Sequence, residues 1–161
     1  MFRPALASDA LAIAGIYNHY VLNTFVTFEE ETVSAEEMAG RIRDTLAAEL
    51  PWLVWEENGR VLGYCYASKW KSRCAYRFAL ETTVYLDKDV TGRGLGTKLY
   101  RALIDALQPT RMHTLIGGIA LPNAASVALH EKLGFQKIGQ FREVGWKFDQ
   151  WIDVGYWELM L

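Results

Sequence analysis

The sequence predicts a single α/β (α+β) domain built on one mixed β-sheet, and three features carry that prediction. Alternating apolar and polar residues over 80–86 indicate a strand, and apolar residues at helical spacing from Leu95 to Leu107 indicate a helix. Asn58-Gly59 joins two further strand-like runs and is typical of a type I′ hairpin turn. Strands thus form a hairpin early in the chain and alternate with helices later, as in an α/β or α+β domain.

Composition limits what the chain can be. Its 161 residues suffice for one domain over 1–161 with a sizeable core, and 51% hydrophobic with 22% charged residues is typical of a globular protein. A net charge of -2 gives no general attraction to nucleic acid or to an anionic membrane, and no apolar run is long enough to span one. Two cysteines and three histidines show no metal-ligand spacing, so no metal site is expected. We expect a cytoplasmic protein with reduced thiols.

Local signals place the elements that precede the glycine-rich segment. Pro4 cannot donate to a ladder, which favours an edge strand. Ser8 is predicted to cap the first helix, and Ser34 opens a capping box for the second. The expected elements are a strand over 2–6, helices over 9–20 and 35–48, and strands over 52–56 and 61–66.

Further strands and one short helix are expected after the central helix. Gly117-Gly118 lies in a predicted strand and indicates either a bulge or a backbone that another group approaches closely. Asn123 is the expected N-cap of the short helix, and Gly134 is the expected C′ residue. The remaining predicted strands span 113–120, 135–138, 141–144 and 151–161.

Gly92, Gly94 and Gly96, between the strand over 80–86 and the helix, form a candidate anion site. Without a Cβ the backbone can approach a ligand closely, and the first amides of the helix lie unpaired at the positive end of its dipole. Arg93 can add a charge-assisted contact. A Walker loop is excluded, and Thr97 stands where a dinucleotide fingerprint needs its third glycine. A turn that only joins strand to helix is the alternative.

The Arg-Gly-x-Gly spacing of this loop resembles the pyrophosphate loop of the GNAT-type N-acetyltransferases. Residues 123–135, an Asn-led short helix ending in Gly-Phe, resemble that family's second signature. The sequence is most similar to the phosphinothricin and methionine sulfoximine acetyltransferase branch, and the resemblance covers nearly the whole chain. It implies a mixed, mostly antiparallel central sheet flanked by helices, with two splayed central parallel strands. Further matching segments are 16–21, 70–73, 81–85 and 145–155.

The resemblance implies acetyl-CoA as the acetyl donor and no metal. The strand backbone would bond to the pantetheine arm as an added strand does, and the glycine loop would hold the pyrophosphate. Asn123 would contact the pantetheine in addition to capping its helix. The expected CoA-binding residues are Val84, Tyr85, Leu86, Gly92, Arg93, Gly94, Leu95, Gly96, Thr97, Asn123 and Ser126.

Direct acetyl transfer needs a base, because amines are mostly protonated at pH 7. Glu81 corresponds to the branch's proposed base, and its apolar neighbours can raise its pKa. The alternative is a strand carboxylate paired with Arg77 or Lys71. His130 stands where many GNAT enzymes have a tyrosine that protonates the leaving thiolate, and imidazole can serve the same role. A purely structural His130 is the alternative.

The resemblance implies a small amino-acid-like acceptor such as phosphinothricin or methionine sulfoximine. Arg73 and Arg77 are candidates for binding its carboxylate, and Phe28, Trp70 and Tyr76 are candidate pocket walls. Acetylation of a polyamine, an aminoglycoside or a protein N-terminus stays open, as does a CoA-binding sensor without turnover. A nucleotide-binding module fits least well, because both phosphate-loop templates fail. The resemblance also implies a homodimer with the acceptor site near the subunit contact.

Overall fold

Seven strands and four helices make up the computed structural model, which describes residues 1–161. The strands are β1 Phe2–Pro4, β2 Trp52–Glu57, β3 Arg60–Lys69, β4 Ala79–Leu86, β5 Thr114–Leu121, β6 Gln136–Lys147 and β7 Gln150–Met160. The helices are α1 Ala10–Asn23, α2 Ala35–Ala47, α3 Leu95–Leu107 and α4 Ala124–Lys132. None of the helices combines the length and apolar character that crossing a bilayer requires.

The strands form one sheet in the order β1-β2-β3-β4-β5-β7-β6, and only the β4–β5 pair is parallel. Alternate side chains of each strand face opposite sides of the sheet. Val54 packs on α1 and α2, whereas its neighbour Leu53 packs on the side of α3. The predicted mixed, mostly antiparallel sheet with helices on its faces is therefore confirmed.

The predicted cap of the first helix is wrong. A 3-10 turn over Ala7–Asp9 precedes α1, so Ser8 lies within the turn, is exposed and caps nothing. The buried Asp9 carboxylate instead accepts the Leu6 N–H at 2.8 Å and the Arg3 guanidinium at 2.7 and 2.9 Å. The prediction for α2 is confirmed, because Ser34 Oγ accepts the N–H of Glu37 at 3.1 Å.

The hairpin at Asn58-Gly59 has positive φ at both residues, +52° and +75°, as predicted for a type I′ turn. The two short strands predicted over 135–138 and 141–144 are instead one long strand, β6. It absorbs two register shifts rather than ending. Asp153 stabilises the second shift, because its carboxylate accepts from Gln140 Nε2 and from the N–H of Glu143, whose φ is +52°.

The predicted splaying of the two parallel strands is confirmed. β4 and β5 pair only from Ala79↔Thr114 to Glu81↔Ile116, and then diverge. Where the ladder ends, Thr82 Oγ1 lies 3.3 Å from the carbonyl oxygen of Ile116. β5 pairs with β7 without a register shift, so the bulge suggested for Gly117-Gly118 is absent. The close approach is present, since a Cβ at Gly117 would lie 2.5 Å from His130 Nε2.

Replacing Asp9 with Asn is expected to lower the free energy of unfolding by roughly 1.5–3 kcal/mol, because the change removes charge-assisted hydrogen bonds at a buried site. Ser8→Ala should change it by less than about 0.5 kcal/mol. Urea denaturation at neutral pH measures both values. Equal losses of unfolding free energy in the two variants would show that Ser8 stabilises the start of α1 as a cap.

Candidate active site

A groove of about 520 Å³ opens where β4 and β5 diverge. The end of β4, the glycine loop and one side of α4 line this groove. Tyr20 and Val26 cover it from the α1 side. Nine predicted CoA-binding residues line this groove together: Val84, Tyr85, Leu86, Gly92, Gly94, Gly96, Thr97, Asn123 and Ser126.

The glycine loop supplies the anionic end of the groove. Gly92 and Gly94 have φ of +77° and +74°, and a Cβ on either would meet nothing, so the backbone conformation is what requires glycine. Gly94 is the N-cap of α3 and provides no side-chain cap. Its carbonyl accepts the N–H of Lys98, so the amides of 95–97 have no partner within the helix. Such a terminus suits a phosphate group.

Two predicted CoA contacts lie outside the groove. The Arg93 guanidinium is exposed and lies 3.3 Å from the Glu57 carboxylate. The Leu95 side chain is 3% exposed and packs in the core, so only its backbone can contribute. Their binding roles stay predictions.

Lys132 is the only charged side chain that lines the groove, and sequence reasoning missed it. As a basic residue in the last turn of α4 it resembles an ordinary helix C-terminal cation. The signal available was its spacing of three residues from Leu129 and seven from Ala125, which places all three on one side of the helix.

The free edge of β4 forms the long wall of the groove. Beyond Glu81 the backbone of this strand has no partner on the β5 side. The Tyr20 hydroxyl donates to the carbonyl of Leu86 at 2.6 Å, which satisfies the last of these groups. Apolar side chains complete the walls, so the groove suits a long ligand that is anionic at one end.

A smaller pocket of about 200 Å³ continues the groove toward the sheet, and shares Val26, Val84, Tyr85, Asn123 and Ser126 with it. Glu81 and His130 both line this pocket. Glu81 is half-buried and forms no ion pair, so the alternative of pairing with Arg77 or Lys71 is not realised. Burial raises the pKa of its carboxyl above the ordinary value.

His130 is buried, and both of its ring nitrogens are engaged. Nδ1 lies 2.8 Å from the carbonyl of Ser126 and must donate to it, so the neutral ring accepts the Tyr100 hydroxyl at Nε2, 3.0 Å away. Burial lowers the pKa of His130, which favours the neutral ring. Tyr100 also contacts Thr82 Oγ1 at 2.6 Å. Sequence reasoning missed Tyr100, because a tyrosine on the apolar side of α3 looks like core.

Tyr156 is a third residue that sequence reasoning did not place at the site. A Cβ on Gly118 would lie 3.3 Å from the Tyr156 ring and 3.5 Å from Glu81 Oε1, so the glycine leaves space between ring and carboxylate. Burial, and then the charge of Glu81, raise the pKa of Tyr156. Trp70, a predicted wall, packs edge-on against this ring with centroids 5.6 Å apart.

Trp70 lines neither pocket, and the other four predicted acceptor contacts also lie outside both. Phe28 is 41% exposed and neighbours Thr27, which lines the smaller pocket. Arg73, Tyr76 and Arg77 lie on the exposed 3-10 turn over 74–76 and its two flanking residues. The guanidinium of Arg77 bonds to the carbonyl of Cys74. Roles for these four residues in acceptor binding stay predictions.

Comparison with known proteins identifies the family. Residues 3–155 match the family described as the acetyltransferase (GNAT) domain. The chain is 38% identical over 156 residues to a phosphinothricin N-acetyltransferase of Streptomyces viridochromogenes, covering 97% of this chain and 85% of that one. It is also 38% identical over 159 residues to an L-methionine sulfoximine/L-methionine sulfone acetyltransferase of Salmonella typhimurium, covering 99% and 93%.

A solved structure shows the same fold. A GNAT-superfamily phosphinothricin acetyltransferase from Sinorhizobium meliloti, in complex with acetyl-CoA, superposes with a TM-score of 0.96 at 34% identity. The match covers 100% of this chain and 88% of that one. With a family match over nearly its whole length and a groove of the required shape, the chain belongs to the GNAT family of acetyl-CoA-dependent N-acetyltransferases.

Proposed function

We propose that this enzyme acetylates the α-amino group of a small amino-acid-like acceptor, such as phosphinothricin or methionine sulfoximine. The observation that carries this proposal is an unpaired, partly desolvated Glu81 in the smaller pocket that adjoins the groove. Acetyl-CoA, when bound, supplies an activated thioester carbonyl. The acceptors named are those of the relatives in Streptomyces viridochromogenes and Salmonella typhimurium.

The groove positions the donor. The free amides of 95–97 bind the diphosphate, and the unpaired edge of β4 binds the pantetheine arm as an added strand. Lys132 adds a positive charge to the wall of the groove. Asn123 caps α4 by accepting the N–H of Ser126 at 3.1 Å, and its side chain lines both cavities. These contacts aim the reacting end at the smaller pocket and contribute through orientation.

Glu81 acts as the base. It takes a proton from the acceptor ammonium, directly or through a water, and the neutral amine then attacks the thioester. Its raised pKa makes its carboxylate a better base than that of an ordinary glutamate. His130 is the candidate proton donor for the leaving thiolate, a role that requires the protonated ring, since the neutral ring directs its one N–H at the carbonyl of Ser126. Because both of its ring nitrogens bond within the protein, the same geometry supports a structural role.

The smaller pocket favours a compact acceptor. A volume of about 200 Å³ suits an amino acid better than an aminoglycoside or a peptide. Tyr156, which lies near Glu81 across Gly118, and Trp70, which packs on Tyr156, are the proposed aromatic contacts of the acceptor. Arg73 and Arg77, on the neighbouring basic loop, are the proposed partners of the acceptor carboxylate. A basic loop also disfavours a polyamine.

We further propose a cytoplasmic homodimer. Both cysteines are free, and Cys74 is exposed, as suits a reducing compartment. The edge strand β6 and its partner β7 expose a set of large apolar side chains that would be covered by a second copy. This aromatic surface consists of Phe141, Val144, Trp146, Phe148 and Trp151, which are 48–61% exposed.

Purified enzyme with acetyl-CoA should release CoA thiol when phosphinothricin or methionine sulfoximine is added, and Glu81→Gln should slow this release by about 10²–10⁴-fold. The affinity of the Glu81→Gln variant for CoA, measured by calorimetry, should be unchanged. Glu36→Gln, at an exposed position of α2, is the matched control and should leave the rate unchanged. Because Glu81 must be ionised to act, kcat should rise with pH through an apparent pKa above that of an ordinary glutamate. Binding of CoA without acetylation of any amino acid would instead favour a CoA-binding sensor without turnover.

His130→Asn separates the two roles of the imidazole. Asn retains a donor for the carbonyl of Ser126 but removes the nitrogen that faces Tyr100. If His130 is the proton donor, the His130→Asn variant should have a kcat about 10²-fold lower with little change in melting temperature. A structural histidine predicts the reverse, a lower melting temperature with kcat retained, measured by thiol release and thermal unfolding.

Trp151→Glu should convert the dimer to a monomer, because it places a charge in the proposed contact. Leu11→Glu is the matched control, since Leu11 is 75% exposed on α1, outside the aromatic surface. Light scattering coupled to size-exclusion chromatography measures the molar mass of each. A wild-type enzyme that is already monomeric at micromolar concentration would contradict the assembly.

A further inference from the structure

Lys147, near the end of β6, is a buried lysine with little to satisfy its charge. It is 1% exposed, forms no salt bridge, and donates one hydrogen bond, from Nζ to the carbonyl of Thr27 at 2.8 Å. The Phe148 ring lies 5.1 Å from Nζ, and Glu29 and Glu30 lie near enough to favour the charged form. Burial outweighs them and lowers the pKa of Lys147. Burying an ammonium in this way costs stability, so a role other than packing is indicated.

The carbonyl that Lys147 binds belongs to the cover of the smaller pocket. Residues 24–28, here called the cover segment, follow α1 and include Val26 and Thr27, both of which line the pocket with Glu81. The Thr27 hydroxyl bonds to Tyr17 of α1 at 2.7 Å. Thr27 is therefore held through its side chain by α1 and through its carbonyl by β6.

A second contact from β6 acts on the same segment. Gly145 lies two residues before Lys147, on the same face of the strand, and a Cβ there would overlap the Phe28 ring. The Phe28 ring therefore packs directly on the strand backbone. One strand, β6, thus contacts two adjacent residues of the cover segment. Lys147 and Thr27, which share the hydrogen bond, are 120 positions apart in the sequence.

An apolar side chain at 147 would fill the space without burying a charge, and would leave the Thr27 carbonyl without its donor. The directional hydrogen bond specifies where that carbonyl lies, which packing alone does not. We propose that Lys147 is a positioning residue that, together with Gly145, holds the cover segment so that Val26 and Thr27 shape the acceptor pocket beside Glu81. The inference rests on the proposed function, because the acceptor is assumed to bind in that pocket.

Lys147→Met tests this directly, since it keeps the length of the side chain and removes the donor. The KM for the acceptor should rise about tenfold or more, because displacement of a pocket wall by an ångström is costly to catalysis. The Kd for CoA should change less than about threefold, because Val26 is the only residue of the cover segment that lines the groove and the glycine loop is untouched. Hydrogen exchange of the 24–28 amides should accelerate. Lys137→Met, on an exposed lysine of the same strand, should change none of these values.

Lys147→Arg keeps a charge and a hydrogen-bond donor at this position. Hydrogen exchange of the 24–28 amides should therefore be slower in this variant than in Lys147→Met. A Lys147→Met enzyme with a lower melting temperature but unchanged acceptor KM and exchange would show a structural lysine and overturn the inference. If that variant does not fold, Gly145→Ala decides: it keeps Lys147, displaces Phe28, and should raise the acceptor KM. If the wild-type enzyme acetylates no amino acid, the proposed function is wrong. The hydrogen exchange of the 24–28 amides in Lys147→Met then still decides whether Lys147 holds the cover segment.

Discussion

The early end of the β4–β5 ladder is the constraint on which the rest of the molecule depends. Pairing stops at Glu81↔Ile116, and beyond this point one edge of β4 lacks a strand partner in the middle of the sheet. Buried backbone groups must find other partners, so an interior edge of this kind is costly unless a ligand or side chain uses it. The groove, its free backbone wall and the placement of Glu81 where the strands separate all follow from this single interruption.

The interruption is stabilised by groups that enter the gap. Thr82 lies beside the last paired carbonyl of β5 and bonds to Tyr100, and Tyr100 and His130 extend the network to α4. Gly117 admits the imidazole ring, which any larger residue would exclude. The same histidine that stands in the pocket therefore also helps to hold the strands apart. A structural and a chemical role for His130 are compatible, because a well-packed ring is also a well-oriented one.

The elements predicted correctly from sequence are those fixed by local backbone chemistry. The Asn58-Gly59 turn, the glycine loop and the Asn123 cap each depend on a few adjacent residues. The errors arose where contacts outside the local pattern decide. Ser8 caps nothing because a 3-10 turn precedes α1, in which Asp9 binds the Leu6 N–H and Arg3. β6 stays one strand because Asp153 of β7 supports its register shift. Tyr156 and Lys147 carried no local signal, since only the folded sheet brings them to the site. Lys132 had only its spacing along α4.

The two ends of the site therefore depend on different parts of the chain. The donor groove is built by β4, α3 and α4, with little from the C-terminal strands. The acceptor side receives Tyr156 from β7 and the Lys147–Thr27 contact from β6, the strands that also carry the aromatic surface. In the proposed dimer, covering that surface would order β6 and β7 and, through them, the cover segment. Assembly should then act on acceptor binding and leave CoA binding largely unchanged, because only the acceptor side is anchored to the strands that the second copy covers.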